Sequence, residues 1–375
     1  MLKAKKIFKF TFFLKVISVG VTVALLLSYL SPFIEPATLR LLPLFGLAYP
    51  ILICFHFLLI IVWLFFNKKW ALALGIVFLA GGNLHFRTFT IGFGDTPNGA
   101  KEINVMSYNV RLFDRYNPNF EQAVKHKNKI IGFVKSKNAD IVCFQEFFHQ
   151  DQPTKFVTRD TLTNLLNTPY YHERYAHTLK GNHNFGIALF SKFPIVKKGE
   201  IAFKGKELSF NYCIFADIKT PDGIIRVYNA HLQSIRLNQE DYNAINETES
   251  EELETGTSTF FSIIKKVVNA YPVRANQTNQ LIRNIKSSPH PVVICGDFND
   301  TPMSYTYTTF NALLTDAFRN SSWGIGKTYA GTLPAGRIDY IFHSSEIGSR
   351  NFTIQDQRQS DHFAINSSIF LKNKE

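Results

Sequence analysis

The chain has 375 residues and a formal net charge of +12, so it is too long for one average domain and fits one large domain or two ordinary ones. Residues 1–90 hold nine of the 41 basic side chains and one of the 29 acidic ones, so the remaining residues carry only +4, which argues against a strongly basic catalytic surface for nucleic acid. The four cysteines show no regular spacing, which argues against a zinc site or a disulfide framework.

Three apolar segments open the chain. Residues 11–34 are apolar apart from Lys15, residues 41–66 contain no charge, and residues 70–86 are shorter. A membrane-spanning helix needs about 20 mostly apolar residues, so the first two segments qualify and the third is borderline. We therefore predict a membrane anchor of two to three transmembrane helices in residues 1–90. The first segment is longer than the apolar core of a signal peptide and lacks a cleavage site, so we expect it to be retained.

The basic residues that flank these segments indicate their orientation. Four lysines precede the first segment, and Lys68 and Lys69 lie between the second and third, so both regions are expected in the cytoplasm. Three crossings predict a multi-pass protein of the inner (cytoplasmic) membrane whose later residues lie on the outer face. If the third segment does not cross, those residues face the cytoplasm instead.

The sequence pattern changes after residue 90. Residues 91–101 are rich in glycine and proline and are predicted to be a linker, short enough to keep the C-terminal part of the chain near the bilayer. Beyond the linker, short apolar runs predict strands, several of them apolar on both faces as in a sheet covered by helices. The predicted strands are residues 103–110, 139–146, 185–195, 210–218, 224–232, 291–299 and 337–342. Helices are predicted at residues 121–138 and 271–286, which makes residues 102–372 an α/β domain.

Polar side chains stand at the ends of these apolar strands. Each of them alone has an ordinary explanation, as a turn cap or as a satisfied interior group. Because strand ends in α/β proteins meet at one rim of a sheet, their recurrence at successive ends predicts a common site. The residues are Asn109, Glu146, Asn229, His231, Asp297 and Asn299, with Asp339 inside the last predicted strand and Asp361 and His362 after it.

These residue types suit the hydrolysis of a phosphate ester. That reaction needs a metal ion, a carboxylate that positions water, and a hydrogen-bond donor for the leaving oxygen. Carboxylate and amide oxygens suit Mg²⁺ or Mn²⁺ rather than zinc. His231 and His362 are available as donors, and Asp339 is a candidate to fix the tautomer of one imidazole. The candidate oxygen ligands are Glu146, Asp297, Asp361, Asn109 and Asn299.

The ordered motifs resemble those of the endonuclease/exonuclease/phosphatase superfamily, which includes deoxyribonucleases, apurinic endonucleases, neutral sphingomyelinases and inositol polyphosphate phosphatases. The resemblance covers residues 102–370 and implies a four-layered α/β sandwich with Mg²⁺-dependent phosphoesterase activity. The motifs are SYNVR around Asn109, QE at 145–146, NAHL at 229–232, GDFND at 296–300, RIDY at 337–340 and SDH at 360–362.

The resemblance also implies roles for the residues that would bind. Glu146 would be the principal metal ligand, with Asn109 and Asp361 beside it. Asn229 and Arg111 would contact the substrate. Some apurinic endonucleases carry an aspartate at the position of Arg111, so this chain lacks one ligand for a second metal and offers a basic group to a phosphate instead.

The remaining site residues would act in catalysis. Asp297 and Asn299 would handle the nucleophilic water and the phosphoryl group, and Asp339 would pair with His362. His231 matches the second histidine of the deoxyribonuclease and sphingomyelinase branches.

The sequence thus predicts a Mg²⁺-dependent hydrolase acting near the membrane, and a lipid headgroup or another small phosphoester is favoured over duplex DNA. Duplex binding relies on neutralising several phosphates, whereas residues 91–375 carry little net charge. Residues 235–259 are predicted to be an acidic insertion, which would repel a long polyanion if it borders the cleft. A membrane-tethered nuclease is the alternative. A non-catalytic binding module is disfavoured because nearly every motif position is filled.

Overall fold

The computed structural model describes residues 2–152, 154–203, 211–235, 253–331, 336–356 and 358–373. The helices in these ranges are α1 (Leu2–Leu30), α2 (Leu42–Phe66), α3 (Lys68–Ala80), α4 (Gly82–Thr88), α5 (Phe120–Lys137), α6 (Thr158–Leu166), α7 (Leu253–Lys286), α8 (Tyr305–Asn311) and α9 (Ala317–Ser321). The strands are β1 (Thr90–Ile91), β2 (Ile103–Asn109), β3 (Ile141–Gln150), β4 (Tyr170–Leu179), β5 (His183–Ser191), β6 (Ile195–Ala202), β7 (Tyr212–Thr220), β8 (Gly223–His231), β9 (Val292–Asp297), β10 (Thr315–Asp316), β11 (Trp323–Gly324), β12 (Asp339–His343), β13 (Ile347–Gln355) and β14 (Ala364–Leu371).

Two six-stranded sheets form the centre of the molecule. The first sheet has the order β13-β14-β2-β3-β5-β4, and the second has the order β10-β12-β9-β8-β7-β6. In each sheet one central pair is parallel, β2 with β3 and β8 with β9, while the neighbouring pairs are antiparallel. The parallel pairs bring the ends of four central strands to one rim.

The strands are apolar on both faces because both sheets are covered on both faces. In β2, Ile103 and Val105 point into the core between the sheets, whereas Met106 and Tyr108 pack under α5 and α6. The outer face of the second sheet packs under α7 and α8 in the same way. The layers are therefore helix, sheet, sheet and helix, which confirms the four-layered α/β sandwich.

Several predicted elements differ from the observed ones. The predicted strand at 185–195 is two strands in different sheets, because β5 ends at Ser191 and the chain turns at Pro194 into β6. Strands β4, β13 and β14 are missing from the prediction. β4 is half-exposed along most of its length, so it lacks the apolar run that marks a buried strand.

Helix α7 is longer than predicted. The predicted start at Tyr271 coincides with Pro272, a residue that favours a first helical turn, but the helix begins at Leu253 and runs through the proline. The last part of the predicted insertion at 235–259 is therefore helical. Residues 236–252 of that insertion, with Glu247, Glu249, Glu251 and Glu252, lie outside the described residues.

The N-terminal segment contains two helices that are long and apolar enough to cross a membrane, Lys9–Phe33 with its final short turn and Leu42–Phe66. Helices α3 and α4 meet at an angle of 66° and make a third candidate only if they are counted as one broken span. Helix α3 alone is about 20 Å long, which is shorter than the hydrocarbon layer of about 30 Å. Polar contacts join the helices: Trp63 donates to Ser18 at 2.8 Å, and His56 lies 3.0 Å from the Leu74 carbonyl oxygen.

The N-terminal apolar helices dock onto the α/β domain. A Cβ atom on Gly46, in the first turns of α2, would lie 2.4 Å from the Met303 carbonyl oxygen, so only glycine permits this close approach. In the last turn of α4, Arg87 donates to the Thr308 hydroxyl at 2.7 Å and its carbonyl oxygen accepts from Arg337 at 3.1 Å. The start of α2 and the end of α4 therefore contact the loop and helix that come after β9.

The predicted linker is bound to the domain for part of its length. β1 pairs with β11, the Gly94 N–H donates to the Asn320 carbonyl oxygen at 2.8 Å, and the Asp95 carboxylate accepts from Asn320 and from the Ser349 N–H. Backbone hydrogen bonds, which composition does not reveal, hold this glycine-rich stretch in place. The distance between the N-terminal helices and the α/β domain is therefore set by these contacts rather than by linker length.

Candidate active site

The second sheet sets three of the predicted site residues side by side. β8 and β9 are parallel with His231 opposite Asp297, and β12 is antiparallel to β9 with Asp339 also opposite Asp297. Gly296 permits this register, because a Cβ there would lie 1.9 Å from the Ala230 carbonyl oxygen and its φ of 147° favours glycine. The three side chains therefore share one position along the rim.

The first sheet brings Asn109 and Glu146 to the same rim. Asn109 ends β2, and its Nδ2 donates to Glu146 Oε1 at 3.3 Å and to Asp297 Oδ2 at 3.0 Å. Glu146 lies in a bulge of β3 between Phe144 and Phe147, with a φ of 47°. Such a bulge changes the direction of a side chain, and here the carboxylate comes within reach of Asn109. The Asn109 amide thereby joins the two sheets.

The loop before β14 completes the rim. The Ser360 hydroxyl donates to the Asn109 carbonyl oxygen at 2.7 Å, which fixes the segment that carries Asp361 and His362. Oδ2 of Asp361 lies 3.8 Å from Nε of Arg111, and these two side chains are 28% and 60% exposed. They are therefore the open side of the site.

Arg111 begins a left-handed turn. Every residue from Arg111 to Asp114 has a φ between 45° and 57°, a conformation that costs a non-glycine residue about 1–2 kcal/mol. Buried Phe113, edge-on to Phe147 with 5.6 Å between ring centroids, and Asp114, whose Oδ2 lies 2.6 Å from Nδ1 of His126, hold the turn. Strain of this kind is common at functional sites, and here it occurs at the backbone that carries Arg111.

Asp339 and His362 form a buried pair. Nδ1 of His362 lies 3.0 Å from Oδ2 and 3.1 Å from Oδ1 of Asp339, and Nε2 lies 3.6 Å from Oδ2 of Asp297. The ring of Tyr329 stands edge-on to the imidazole, 5.3 Å between centroids. Asp339 thus fixes the ring so that its second nitrogen faces Asp297.

The surrounding charges keep the His362 imidazole protonated. Burial opposes protonation, but the carboxylates of Asp339 and Asp297 outweigh burial and raise the pKa of His362 to about 10. Burial raises the pKa of Asp339 above its usual value, against the opposing effect of His362. We assign the shared proton to the imidazole, because Nδ1 is within hydrogen-bond distance of both carboxylate oxygens.

His231 is the second imidazole at the rim. Its Nε2 lies 3.6 Å from Asp297 Oδ2 and 4.0 Å from Glu146 Oε1. The atom is buried and has no hydrogen-bond partner in the described part of the chain. Leaving such a group unsatisfied costs about 1–3 kcal/mol, so a polar ligand in the cleft would stabilise it.

Asn299 lies just beyond β9 with a φ of 52°. Its N–H donates to Asp297 Oδ1 at 2.8 Å, and its Nδ2 donates to the Leu232 carbonyl oxygen at 3.1 Å. Under this loop Arg274 of α7 forms a buried ion pair with Asp300 at 3.3 Å and also donates to the Asn299 carbonyl oxygen. Helix α7 therefore fixes the loop that carries Asn299.

Asn229 differs from its prediction as a substrate-binding residue. Its side chain is fully buried, and its Nδ2 donates to the carbonyl oxygens of Phe144 and Ala188, both at 2.9 Å. Its Oδ1 accepts from Gln145 at 2.7 Å. With every polar atom engaged by the opposite sheet, Asn229 is positioned to join the sheets rather than to contact a substrate.

Some residues that support the site were not predicted from the sequence. Thr328 accepts hydrogen bonds from the N–H groups of Ile338 and Asp339, at 3.0 and 3.1 Å, and so fixes the start of β12. It belongs to a loop without periodicity. Asp300 and Arg274 could have been found. Asp300 lies inside the GDFND motif, and Arg274 is a charged residue one turn from Tyr271, on the buried face of α7.

The residues at the rim fit a divalent cation. Ligand atoms of Asp297, Asp339 and His362 lie within 4.8 Å of one another, and Glu146 and Asp361 add two more carboxylates at the same rim. Unpaired buried carboxylates are costly, so this concentration of negative charge favours a bound cation. Glu146 and Asp361 are partly exposed, whereas Asp339 and His362 are hydrogen-bonded to each other.

Two family models match the chain. The model described as "Endonuclease/Exonuclease/phosphatase family" matches residues 106–362. A second model, described as a domain of unknown function, matches residues 6–88. No curated protein matches by sequence.

Solved structures with the same fold come from several bacteria. Two are endonuclease/exonuclease/phosphatase proteins of Leptotrichia buccalis (17% identity, 72% of this chain and 100% of that one, TM-score 0.50) and Bacteroides thetaiotaomicron (18%, 73% and 99%, 0.50). A third, from Bacteroides vulgatus, has 17% identity over 72% of this chain and 100% of that one, with a TM-score of 0.50. The chain therefore belongs to the endonuclease/exonuclease/phosphatase family, whose members hydrolyse phosphoesters.

Proposed function

We propose that this chain is a membrane-anchored, divalent-metal-dependent phosphoesterase that hydrolyses a lipid headgroup or another small phosphoester beside the membrane. One contact carries this proposal. Met303, in the loop after Asp297 and Asn299, packs against Gly46 at the start of the second apolar helix. The four residues from Asn299 to Met303 span at most about 14 Å, so the rim lies close to the anchor.

We infer that residues 1–90 are the membrane anchor, that residues 91–101 connect it, and that residues 102–372 are the catalytic domain. The surface of α2 supports the first assignment. Tyr49, His56 and Trp63 are buried against neighbouring helices, whereas Phe55, Leu58 and Phe65 are exposed, as are five other large apolar side chains of this helix. A helix bundle with an apolar exterior is stable in lipid rather than in water.

The contacts of the anchor also support a catalytic domain on the outer face. Gly46 contacts the domain, and the following 20 residues of α2 carry the chain about 30 Å away from it, to the turn with Lys68 and Lys69. Those lysines are expected in the cytoplasm. Because Arg87 contacts the domain again, α3 and α4 together have to return across the bilayer. The bend between them makes this crossing a broken span.

We propose Mg²⁺, or Mn²⁺, as the metal ion, held by Glu146 and Asp361 with Asn109 beside them. Their oxygen atoms are hard donors, and the two carboxylates are open enough for an ion to enter. A bound ion would neutralise the phosphoryl oxygens and so lower the barrier to attack by water. The divalent metals generally used by this family agree with that donor set.

The protein groups around Asp297 suit the proton transfers of hydrolysis. Its Oδ2 lies 3.0 Å from Asn109 Nδ2 and 3.6 Å from Nε2 of both His231 and His362. Asp297 would orient the attacking water and accept its proton, while the protonated His362 donates a hydrogen bond to the phosphoryl or leaving oxygen. We propose Asn299 and His231 as further donors to the phosphoryl group.

A membrane-tethered nuclease is the second candidate. Arg111 favours it, because its side chain is 60% exposed at the rim and would contact the backbone of a nucleic acid as readily as a single phosphate. The low net charge of the catalytic domain and the contact between the rim loop and the anchor favour the smaller substrate.

Hydrolysis by the full-length protein in lipid nanodiscs tests both candidates. We expect Mg²⁺-dependent release of phosphate or headgroup from phospholipid, sphingolipid or inositol phosphate substrates, abolished by EDTA. Efficient nicking of plasmid DNA at physiological salt, with the other substrates untouched, would select the nuclease. Activity that persists in EDTA would contradict the metal assignment.

Two glycine variants test the contact between anchor and rim. We expect Gly46→Ala to lower activity, because the added Cβ would meet the Met303 carbonyl oxygen and displace the loop that begins at Asp297. Gly75→Ala is the matched control, since a Cβ there has no neighbour within 4 Å. Equal activity of the two variants would show that the anchor does not support the catalytic loop.

A further inference from the structure

A small apolar ribbon projects from the surface beside the anchor. β1 and β11 pair antiparallel, with Ile91 directly opposite Trp323. Four apolar side chains are between 53% and 87% exposed: Ile91, Phe93, Trp323 and Ile325. The neighbouring Thr90, by contrast, is buried. One face of the ribbon is therefore covered, and the other presents large apolar groups without a partner in the described structure. We call these four residues the ribbon patch.

The ribbon patch is rigidly held. The Gly92 N–H donates to the Ser322 carbonyl oxygen and the Gly94 N–H to the Asn320 carbonyl oxygen, both at 2.8 Å. A Cβ on Gly92 would lie 2.4 Å from the Arg319 carbonyl oxygen, so β1 lies directly on the backbone at the end of α9. The exposed apolar side chains therefore belong to a fixed surface rather than to a loose loop.

The ribbon patch is continuous with the anchor. Helix α4 ends at Thr88, so Phe93 lies at most about 18 Å further along the chain. Arg319, at the other side of the ribbon, donates to the Asn83 side chain within α4 at 3.3 Å. The patch is therefore at the level where the third apolar segment leaves the bilayer. Tryptophan and other aromatic side chains are enriched at that level of membrane proteins.

We propose that the ribbon patch is a lipid-contact surface that inserts into the interface between the headgroups and the acyl chains of the membrane. Four adjoining apolar side chains on a rigid support, next to a membrane helix, match the surface that an interfacial anchor requires. A lipid surface is the occupant because the chain that carries Ile91 and Phe93 is already tied to the bilayer by α4.

This contact would seat the catalytic rim on the membrane. The chain runs from Ile325 to Tyr329 in four residues, at most about 14 Å, and the Tyr329 ring stacks edge-on against His362. A patch in the interface therefore keeps the His362 side of the rim close to the lipid headgroups. In this respect the inference rests on the proposed function and narrows its substrate to phosphoesters at the lipid surface.

Fluorescence of Trp323 tests the insertion directly. The full-length protein is reconstituted in vesicles of phosphatidylcholine and phosphatidylglycerol whose acyl chains carry bromine at shallow or deep positions. The Trp323 signal is the difference between the natural protein and Trp323→Phe, which leaves Trp63 and Trp70 in place. We expect shallow bromines to quench this signal and aqueous iodide to leave it unaffected. Quenching by iodide alone, or by neither agent, as when another protein copy covers the patch, would overturn the proposal.

A second measurement separates this inference from the proposed function. We expect Phe93→Ser to lower hydrolysis of a vesicle-borne phosphoester about tenfold and to leave hydrolysis of the soluble ester bis(p-nitrophenyl) phosphate unchanged. Val196→Ser is the control: Val196 is also an exposed apolar residue, 54% against 87% for Phe93, but it lies at the end of the second sheet opposite His231. A parallel loss on both substrates would overturn the proposal. Lipid quenching of Trp323 without hydrolysis of any phosphoester would contradict the proposed function and still support the lipid contact.

Discussion

The two sheets contribute to the site in different ways. The second sheet presents His231, Asp297 and Asp339 from three adjacent strands at a single register, and all three are nearly buried. The first sheet presents Glu146 from a bulge, and Arg111 comes after its central strand in a left-handed turn; both are substantially exposed. The part of the rim formed by the second sheet is held by regular strand pairing, and the part formed by the first sheet depends on irregular backbone.

This difference suggests a division of work. Groups that stabilise a transition state need a fixed geometry, which a strand ladder provides. Groups that receive an ion or a substrate need access to solvent, and bulges and strained turns direct side chains outward at the edge of a sheet. Substitutions in the second sheet's part of the rim should therefore reduce kcat, and those in the first sheet's part should reduce affinity.

The largest effect is expected for Asp297→Asn, which keeps the shape of the side chain but removes the base. We expect kcat to fall by about 10³-fold or more while the apparent affinity for Mg²⁺ changes little. Steady-state kinetics across a Mg²⁺ titration measure both quantities. Asp222→Asn, at the turn between β7 and β8, is the control. A loss of Asp297→Asn activity that excess Mg²⁺ restores would place Asp297 with the metal ligands instead.

Next in size is the pair of Asp339 and His362. We expect Asp339→Asn and His362→Gln each to lower kcat by about 10²–10⁴-fold, because the carboxylate acts through the imidazole that it orients. Since the two residues act as a unit, the double variant should be little worse than the worse single one. The three variants are compared by kcat at saturating substrate. Multiplicative losses would mean that the two residues act independently.

A smaller effect, which depends on the Mg²⁺ concentration, is expected for Glu146→Gln in the first sheet's part of the rim. Removing one negative charge should weaken the binding of the metal ion, so activity should be low at about millimolar Mg²⁺ and should partly return as Mg²⁺ is raised. Isothermal titration of the apoprotein with Mg²⁺ gives an affinity independent of turnover. Normal Mg²⁺ affinity with low kcat would assign Glu146 to the chemistry and remove the distinction between the two sheets.

The smallest effect is expected at Arg111. Arg111→Ala should raise KM by about three- to tenfold and leave kcat nearly unchanged, because an exposed guanidinium contributes mainly to binding. Arg111→Gly should give the same kinetics but a higher melting temperature than Arg111→Ala, since glycine adopts a φ of 45° without strain. Equal melting temperatures would show that the turn is not strained at this residue.

Much of the molecule was predictable because its signals are local. Apolar runs that end in polar residues identified β2, β3, β8 and β9. Because several of these strands are apolar on both faces, the sequence also indicated sheets that are covered on both faces. The same pattern predicted that Asn109, Asp297 and His362 belong to one site. These features depend on periodicity and on residue type, both of which are visible in a linear chain.

Features that depend on distant contacts were not predictable. Nothing local to Asn229 distinguishes an amide that bridges two sheets from one that binds a substrate, because its partners Phe144 and Ala188 are far away in sequence. Likewise the glycine-rich stretch after residue 90 has the composition of a free linker, and only its pairing with Trp323 and Asn320 makes it a fixed ribbon.

The sequence by itself determined the layered α/β class, the apolar N-terminal helices and the types of residue at the rim, since these features depend on the residue type at each position. The tertiary structure decided how these parts meet. It set Gly46 against the loop after Asp297 and exposed the apolar face beside α4. Such contacts arise from shape complementarity between segments more than 200 residues apart, and no pattern within either segment encodes the other.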